Sequence, residues 1–150
     1  MWQRIQTVFL AIAVLALVIS LIFPIWSADV NGEINVLTAF YYLKGDVYQY
    51  SPYSLTAIMV VGSATLAIIE ITKFKNRMTQ MKIGALNSLF LVGASGSAVY
   101  FATQLIKANQ IGGQYGAALW GLVAAVICNL LANRFIRKDE KMVRDADRLR

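Results

Sequence analysis

The chain of 150 residues contains no histidine and one cysteine, and only 15% of its residues are charged. Without histidine, the sequence excludes histidine-ligated haem, histidine-based zinc sites and catalysis by a serine or cysteine paired with a histidine base. The single cysteine, Cys128, excludes an intrachain disulfide and chemistry that needs paired cysteines. It lies in an apolar segment with no base beside it, so we interpret it as a small buried side chain. We therefore expect no catalytic residue, no metal site and no cofactor.

Long apolar stretches fill the chain instead, and 58% of its residues are hydrophobic. A helix needs roughly 20 apolar residues to cross a bilayer core of about 30 Å. Four stretches come close to this length: residues 5–25, 54–73, 83–106 and 116–136. The first is too long for a signal peptide, and it is followed by Trp26 where a cleavage site needs a small residue. We predict an all-α membrane protein, a single domain over residues 1–150 with a bundle of four transmembrane helices.

The charges outside these stretches predict the orientation of the helices. The segment between the second and third stretches carries Lys75, Arg77 and Lys82 and no acid, and the chain from Arg134 onward carries seven bases against four acids. The loop between the first and second stretches, residues 27–53, has one base and three acids. Because basic segments stay in the cytoplasm, we predict that both termini are cytoplasmic and that this outer loop faces outward. The same bases explain the net charge of +6 without a nucleic-acid partner.

The outer loop has about 27 residues and several turn signals. Pro24 is expected to end the first helix, and Trp26 is expected in the aromatic belt at the membrane interface. Residues 34–43 and 47–50 are compatible with the two arms of a short hairpin, whereas residues 35–42 are also compatible with a short interfacial helix. In either form we expect the loop to cap the outer ends of the bundle.

Small residues concentrate in the third and fourth stretches. Residues 93–98 are all Gly, Ala or Ser, and a small or amide side chain recurs at every fourth position from Ala117 to Asn133. Since small residues let helices approach closely in lipid, we expect these two helices to form the tight centre of the bundle, with the first helix more exposed to lipid. Internal packing, contact with another subunit and the lining of a narrow pathway all remain open. The candidate packing or interaction residues are Gly84, Ser88, Gly93, Gly96, Ser97, Gly121, Ala125, Asn129 and Asn133.

Glu70 is the one acid inside a predicted transmembrane stretch, and an ionisable group within a bilayer is a functional candidate. It lies three residues before Lys73, near the cytoplasmic edge. We therefore expect its side chain to snorkel to the interface or to pair with Lys73 or a base on another helix, a structural role rather than proton coupling. Amide side chains that can bridge helices are Asn87, Gln104, Asn129 and Asn133.

Both ends of the chain carry a family likeness. Residues 1–10, MWQRIQTVFL, and residues 134–150, RFIRKDEKMVRDADRLR, resemble the uncharacterised bacterial four-span proteins of domain of unknown function 4293. The order of apolar stretches between them extends the likeness over the full length. The resemblance implies a multi-pass protein of the bacterial inner (cytoplasmic) membrane, and it brings no activity, cofactor or catalytic residue.

The C-terminal tail from Arg137 onward is predicted to continue the fourth helix into the cytoplasm. Met142, Val143, Ala146 and Leu149 recur at helical spacing, and this apolar stripe must cover the bundle, the lipid headgroups or a partner. At the other end of the chain, the side chains of Gln3, Arg4 and Gln6 are able to hydrogen-bond the tail or lipid phosphates.

These observations predict a non-enzymatic inner-membrane protein that serves as an accessory or scaffold subunit of a larger membrane assembly. Its partners would be the lipid bilayer and either other membrane-protein subunits or copies of itself. The alternative is a small oligomeric transporter or channel that uses Glu70 and the small-residue face of the third helix. A membrane enzyme acting on lipids or quinones lacks an acid–base pair in the predicted helices.

Overall fold

The structure is a computed structural model that describes residues 2–30, 32–73, 76–110 and 112–148. The four helices are α1 (Trp2–Ile22), α2 (Ser54–Thr72), α3 (Arg77–Asn109) and α4 (Ala117–Arg148). Each is long and apolar enough to cross a membrane, which confirms the four predicted stretches. Lys75, which was used to predict the orientation, and Leu149, which belongs to the predicted apolar stripe of the tail, lie outside the described residues.

The third and fourth helices are longer than their apolar stretches. α3 begins at Arg77, where the side chain of Asn76 accepts a hydrogen bond from the backbone N–H of Thr79 at 3.1 Å and caps the first turn. It ends at Gln110, which adopts the left-handed conformation with φ of 53°. α4 runs without interruption to Arg148, so the predicted helical extension of the fourth stretch is confirmed.

The helices form a ring in which α1 and α3 each pack between α2 and α4. The most extensive pair is α1 with α4. Their backbones come close at Gly121, where an added Cβ would lie 2.5 Å from Ser20 Oγ and 2.8 Å from the carbonyl oxygen of Ala16. The prediction that α1 is peripheral to a tight α3–α4 pair is therefore wrong. Ala13, Ala16 and Ser20 give α1 a small, buried face of its own within its apolar run.

The outer loop forms most of an antiparallel sheet. Its strands are β1 (Trp26–Val30), β2 (Glu33–Leu37), β3 (Tyr42–Lys44) and β4 (Val47–Gln49), and the connection between α3 and α4 adds β5 (Gln114–Tyr115). The strand order is β4-β3-β2-β1-β5. β3 and β4 form a hairpin around Gly45, whose φ of 56° suits glycine. The second predicted arm, residues 47–50, contains β4, whereas the first, residues 34–43, is divided between β2 and the start of β3. The alternative helix over residues 35–42 is not formed.

The sheet covers one end of the helices, in agreement with the prediction that this loop caps the bundle. Trp26, Leu37 and Tyr42 are buried and belong to the same core as Ala57 of α2 and Phe101 of α3. The prediction that Trp26 lies in an interfacial belt is wrong, because its side chain is fully buried. Its indole occupies the space beside Gly113, where an added Cβ would overlap it. We call this end of the bundle the sheet end.

The opposite end, which we call the tail end, holds the first turns of α1 and the last third of α4. The rings of Phe9 and Phe135 stack there with centroids 5.6 Å apart. Arg77 Nε lies 3.1 Å from Asp139 Oδ2 and joins the start of α3 to the extension of α4. Both ends of the described chain therefore lie at the same end of the bundle.

Candidate functional site

A chain of hydrogen-bonded polar side chains runs through the interior between α2, α3 and α4. Ser63 Oγ donates to Asn87 Oδ1 at 2.6 Å, and Asn87 Nδ2 donates to Asn129 Oδ1 at 3.0 Å. Asn129 Nδ2 donates to Ser88 Oγ at 2.9 Å, and Ser88 Oγ donates to the carbonyl oxygen of Gly84 at 2.9 Å. Each helix of the trio contributes to this chain, so it joins all three within an otherwise apolar interior.

The polar chain continues toward the tail end through Asn133, one helical turn after Asn129. Asn133 Nδ2 donates to the carbonyl oxygen of Gly84 at 3.2 Å. A Cβ added at Gly84 would overlap Asn133 Oδ1 and would lie 2.8 Å from Glu70 Oε1. The missing side chain at Gly84 therefore leaves the space in which the Asn133 amide and the Glu70 carboxyl group meet.

The Glu70 side chain is 0% exposed, and neither of its carboxyl oxygens has a hydrogen-bond partner in the part of the chain that the structure describes. The prediction that it snorkels or pairs with Lys73 is wrong. Glu70 shares the buried face of α2 with Ser63 and Ala67, at helical spacings of four and three, so its side chain points into the bundle. Lys73 follows the last turn of α2 and is exposed.

Two glutamines that the sequence analysis did not place inside the bundle are buried at the same end. Gln80 Nε2 donates to the backbone carbonyl oxygen of Glu70 at 3.2 Å, and Gln80 Oε1 has no partner among the described residues. Gln6 on α1 is also buried, and its Oε1 has no partner among the described residues, so its predicted bond to lipid phosphates is not formed. Its bond to the tail stays a prediction. The spacing of Gln80, Gly84 and Asn87, which puts them on one helix face, was the available signal for Gln80.

Glu70, Gln80, Gly84 and Asn133 together form what we call the Glu70 cluster. It has more acceptor oxygens than free donors, because Asn133 Nδ2 already bonds the carbonyl oxygen of Gly84 and Ser88 Oγ, and one N–H of Gln80 Nε2 bonds the backbone carbonyl oxygen of Glu70. Among the described residues, no three His, Cys, Asp or Glu side chains come together as a metal site would require. The cluster lacks the donor set of a zinc or iron centre, and it pairs no nucleophile with a base.

The remaining candidate packing residues point in three directions. Gly93 and Ser97 face α2: an added Cβ at Gly93 would lie 3.5 Å from Met59 Sδ, and Ser97 Oγ lies 3.0 Å from Thr56 Oγ1. Gly121 faces α1, as described above, and Ala125 is fully buried in the core. Gln104, one of the predicted bridging amides, is exposed.

Gly96 differs from these residues because an added Cβ would meet nothing within 4 Å. It lies on the outer surface of α3 in a shallow groove of about 560 Å³, which we call the Gly96 groove. The groove is lined by Val92, Ser95, Gly96, Val99, Tyr100 and Val126. Its walls are almost wholly apolar, and it opens to the surroundings of the bundle.

Comparison with known proteins gives a family but no described activity. A search of curated proteins found no match to this chain. The family model described as domain of unknown function (DUF4293) matches residues 2–149, nearly the whole chain, and the protein therefore belongs to this family.

Proposed function

We propose that this protein is a non-enzymatic accessory or scaffold subunit of a larger assembly in the bacterial inner membrane. The observation that carries the proposal is the Gly96 groove, an apolar depression on the outer face of α3 that no described part of the chain fills. Apolar helix surfaces gain little from burial against each other in lipid, so close backbone approach is what makes such contacts favourable.

Internal packing does not account for the glycine at position 96. A glycine inside a helix costs about 1 kcal/mol relative to alanine. At Gly93 and Gly121 the absence of a Cβ lets a neighbouring helix approach, whereas no described neighbour of Gly96 needs that space. Close approach of a helix from outside the bundle explains the glycine at this position.

The occupant that we propose is a transmembrane helix of a partner protein. The groove lies near the middle of α3, between Val92 and Tyr100, and so at the depth of the hydrocarbon core if α3 crosses the bilayer. At that depth a helix is the element that satisfies its own backbone hydrogen bonds, and its apolar side chains match the groove walls. A second copy of this chain would be detected as a homo-oligomer in the test below.

The tail end supports a second contact of the same assembly. The extension of α4 leaves Met142 and Val143 about 40% exposed, each in reach of a partner or of lipid headgroups. We propose that this end is cytoplasmic and that the sheet faces outward. The support is the charge pattern, since the tail end carries Arg77, Lys82 and Arg134, whereas the outer loop, residues 27–53, carries three acids against one base.

Purification in a mild detergent, followed by native mass spectrometry, tests the assembly role. The wild-type chain should be recovered with a defined membrane-protein partner. Gly96→Leu should lose that partner while keeping its thermal stability, because the new side chain enters open space. Leu15→Phe adds bulk at an exposed position of α1 and serves as the matched control. A strictly monomeric wild-type protein, or full recovery of the partner by Gly96→Leu, would contradict the proposal.

A small transporter or channel is the second candidate, and the buried carboxyl group of Glu70 favours it. Ion flux into proteoliposomes distinguishes the two. A transporter should lose most of its flux on Glu70→Gln, whereas a scaffold subunit should show no flux above that of empty liposomes in either form.

A further inference from the structure

We propose that the Glu70 cluster is a binding site for a monovalent alkali-metal cation. The site lies at the tail end between α2, α3 and α4, where Glu70 Oε1 and Asn133 Oδ1 both lie beside Gly84 and the Gln80 side chain bonds the backbone of Glu70. The cation site goes beyond the assembly role and does not rest on it, because an ion bound there can hold three helices together whether or not a partner is present.

The first argument is the excess of acceptors. Glu70 Oε1, Glu70 Oε2 and Gln80 Oε1 are buried and have no hydrogen-bond partner among the described residues, and Asn133 Oδ1 lies beside Glu70 Oε1 over Gly84. Most donors of the same side chains are already used: Asn133 Nδ2 bonds the carbonyl oxygen of Gly84 and Ser88 Oγ, and Gln80 Nε2 bonds the backbone carbonyl oxygen of Glu70, which leaves one amide N–H of Gln80. Buried acceptors are rarely left unfilled in folded proteins, so a group that interacts with several oxygens at once is required.

The second argument is that the described side chains offer no counter-charge. Lys73 at the end of α2 is exposed, and so are Arg134 and Arg137 on α4. Arg77 at the start of α3 lies 3.1 Å from Asp139, so its charge is already paired. A proton would neutralise Glu70 and supply a single O–H donor for one neighbouring oxygen, leaving the other acceptors unfilled, and a water molecule would leave the carboxylate charge uncompensated. A cation meets both requirements.

The third argument concerns the charge and chemistry of the ion. Carboxylate and amide oxygens are ligands for hard cations, whereas transition metals favour the nitrogen and sulfur ligands that this cluster lacks. One carboxylate balances one positive charge, and a divalent ion would leave a net charge in a buried site. Carbonyl oxygens near helix ends are also the usual ligands of Na⁺ inside membrane transporters. These properties favour Na⁺ or K⁺.

The test uses the full-length protein purified in detergent. Binding of radioactive ²²Na⁺ and, separately, of ⁴²K⁺ is measured at equilibrium, with unlabelled Na⁺, Li⁺, K⁺ and choline as competitors. The apparent melting temperature is measured in parallel at constant ionic strength, with choline replacing Na⁺. We expect saturable binding that an alkali cation displaces and choline does not, and a higher melting temperature with the bound ion. Because the direct measurement needs no variant, absence of saturable binding by either Na⁺ or K⁺ overturns the proposal.

Two variants locate the site. Glu70→Gln keeps the shape and removes the charge, and it should weaken binding about tenfold or more, as expected for losing a charged buried ligand. Gly84→Ala places a methyl group between the Glu70 and Asn133 oxygens and should abolish binding. Glu33→Gln, which removes an exposed carboxylate at the sheet end, should bind like the wild type.

The outcomes separate the cation from its alternatives. If Glu70→Gln binds Na⁺ as tightly as the wild type, the site is elsewhere and the proposal is wrong. A melting temperature that changes with pH but not with any alkali cation would assign the cluster to a proton instead and would also overturn it. A monomeric wild-type protein, or recovery of the partner by Gly96→Leu, would contradict the assembly role but would leave the cation site standing if alkali-cation binding is intact, so the two proposals fail independently.

Discussion

Gly121 of α4 lies so close to Ser20 of α1 that an added Cβ would stand 2.5 Å from the serine Oγ. Ser20 Oγ in turn donates to the carbonyl oxygens of Ala16 and Ala118, at 2.9 Å and 3.0 Å, so it bonds both helices at this crossing. The contact joins the first and last helices of the chain and closes the ring of four.

This contact predicts opposite effects of the same substitution at two glycines. Gly121→Ala should lower the free energy of unfolding by about 1–3 kcal/mol, because α1 and α4 must separate to admit the methyl group. Gly96→Ala should leave stability unchanged or raise it by up to about 1 kcal/mol, since alanine favours the helix and the site is open. Thermal unfolding of both variants in detergent checks the pair, and equal losses of stability would contradict the described packing.

The sheet end offers a second matched pair of adjacent glycines. Gly113→Ala should destabilise the protein by about 1–3 kcal/mol, because its Cβ would overlap the buried Trp26 indole. Gly112→Ala, where an added Cβ meets nothing within 4 Å, should have little effect. The melting temperatures of the two variants, measured side by side, test this difference. Indistinguishable values would mean that Trp26 does not pack against the α3–α4 connection.

The interior amide pair should show measurable coupling. Asn87 Nδ2 donates to Asn129 Oδ1 at 3.0 Å, and each residue has further bonds in the polar chain. In a double-mutant cycle of Asn87→Ala and Asn129→Ala, the coupling energy should be about 0.6 kcal/mol and no more than about 1.7 kcal/mol, the average and the maximum for hydrogen bonds between membrane helices. Unfolding equilibria in mixed detergent supply the four free energies. Strictly additive effects would show that the two amides do not interact.

The ion pair of Arg77 with Asp139 should hold the tail helix more than it stabilises the bundle. Both side chains are partly exposed, so Asp139→Asn should change the free energy of unfolding by no more than about 1 kcal/mol. Trypsin should nonetheless cut the tail after Lys141 or Arg144 faster in this variant, and added salt should accelerate cleavage of the wild type. Cleavage rates independent of both changes would show that the pair does not anchor the tail.

The helices were predictable because each contains an apolar stretch long enough to cross a bilayer, and the helical spacing of the tail indicated that α4 continues. The strands were not. β1 follows Pro24 and alternates poorly, and β5 has two residues, so neither carries a pattern of its own. Both depend on the pairing of Trp26 with Leu37 on one side and Tyr115 on the other, which is a tertiary contact.

The candidate site was predictable as a set of residues but not as an arrangement. Sequence position suggested that Glu70 reaches the interface, since Lys73 is three residues away. Whether a side chain near a helix end turns outward or inward depends on which face of the helix is buried, and that is decided by α3 and α4. Gln80 was not predicted to be buried because the third apolar stretch begins at residue 83, whereas α3 begins at Arg77. The residue was therefore assigned to a loop.

The most direct test of the assembly role is site-specific crosslinking in native membranes. A photoreactive amino acid in place of Val92, at the rim of the Gly96 groove, should give an adduct with one membrane protein that mass spectrometry identifies as the co-purified partner. The same probe at Leu15 should not, and Gly96→Leu should remove the adduct. An adduct that survives Gly96→Leu, or equal capture of that protein from Leu15, would contradict the account.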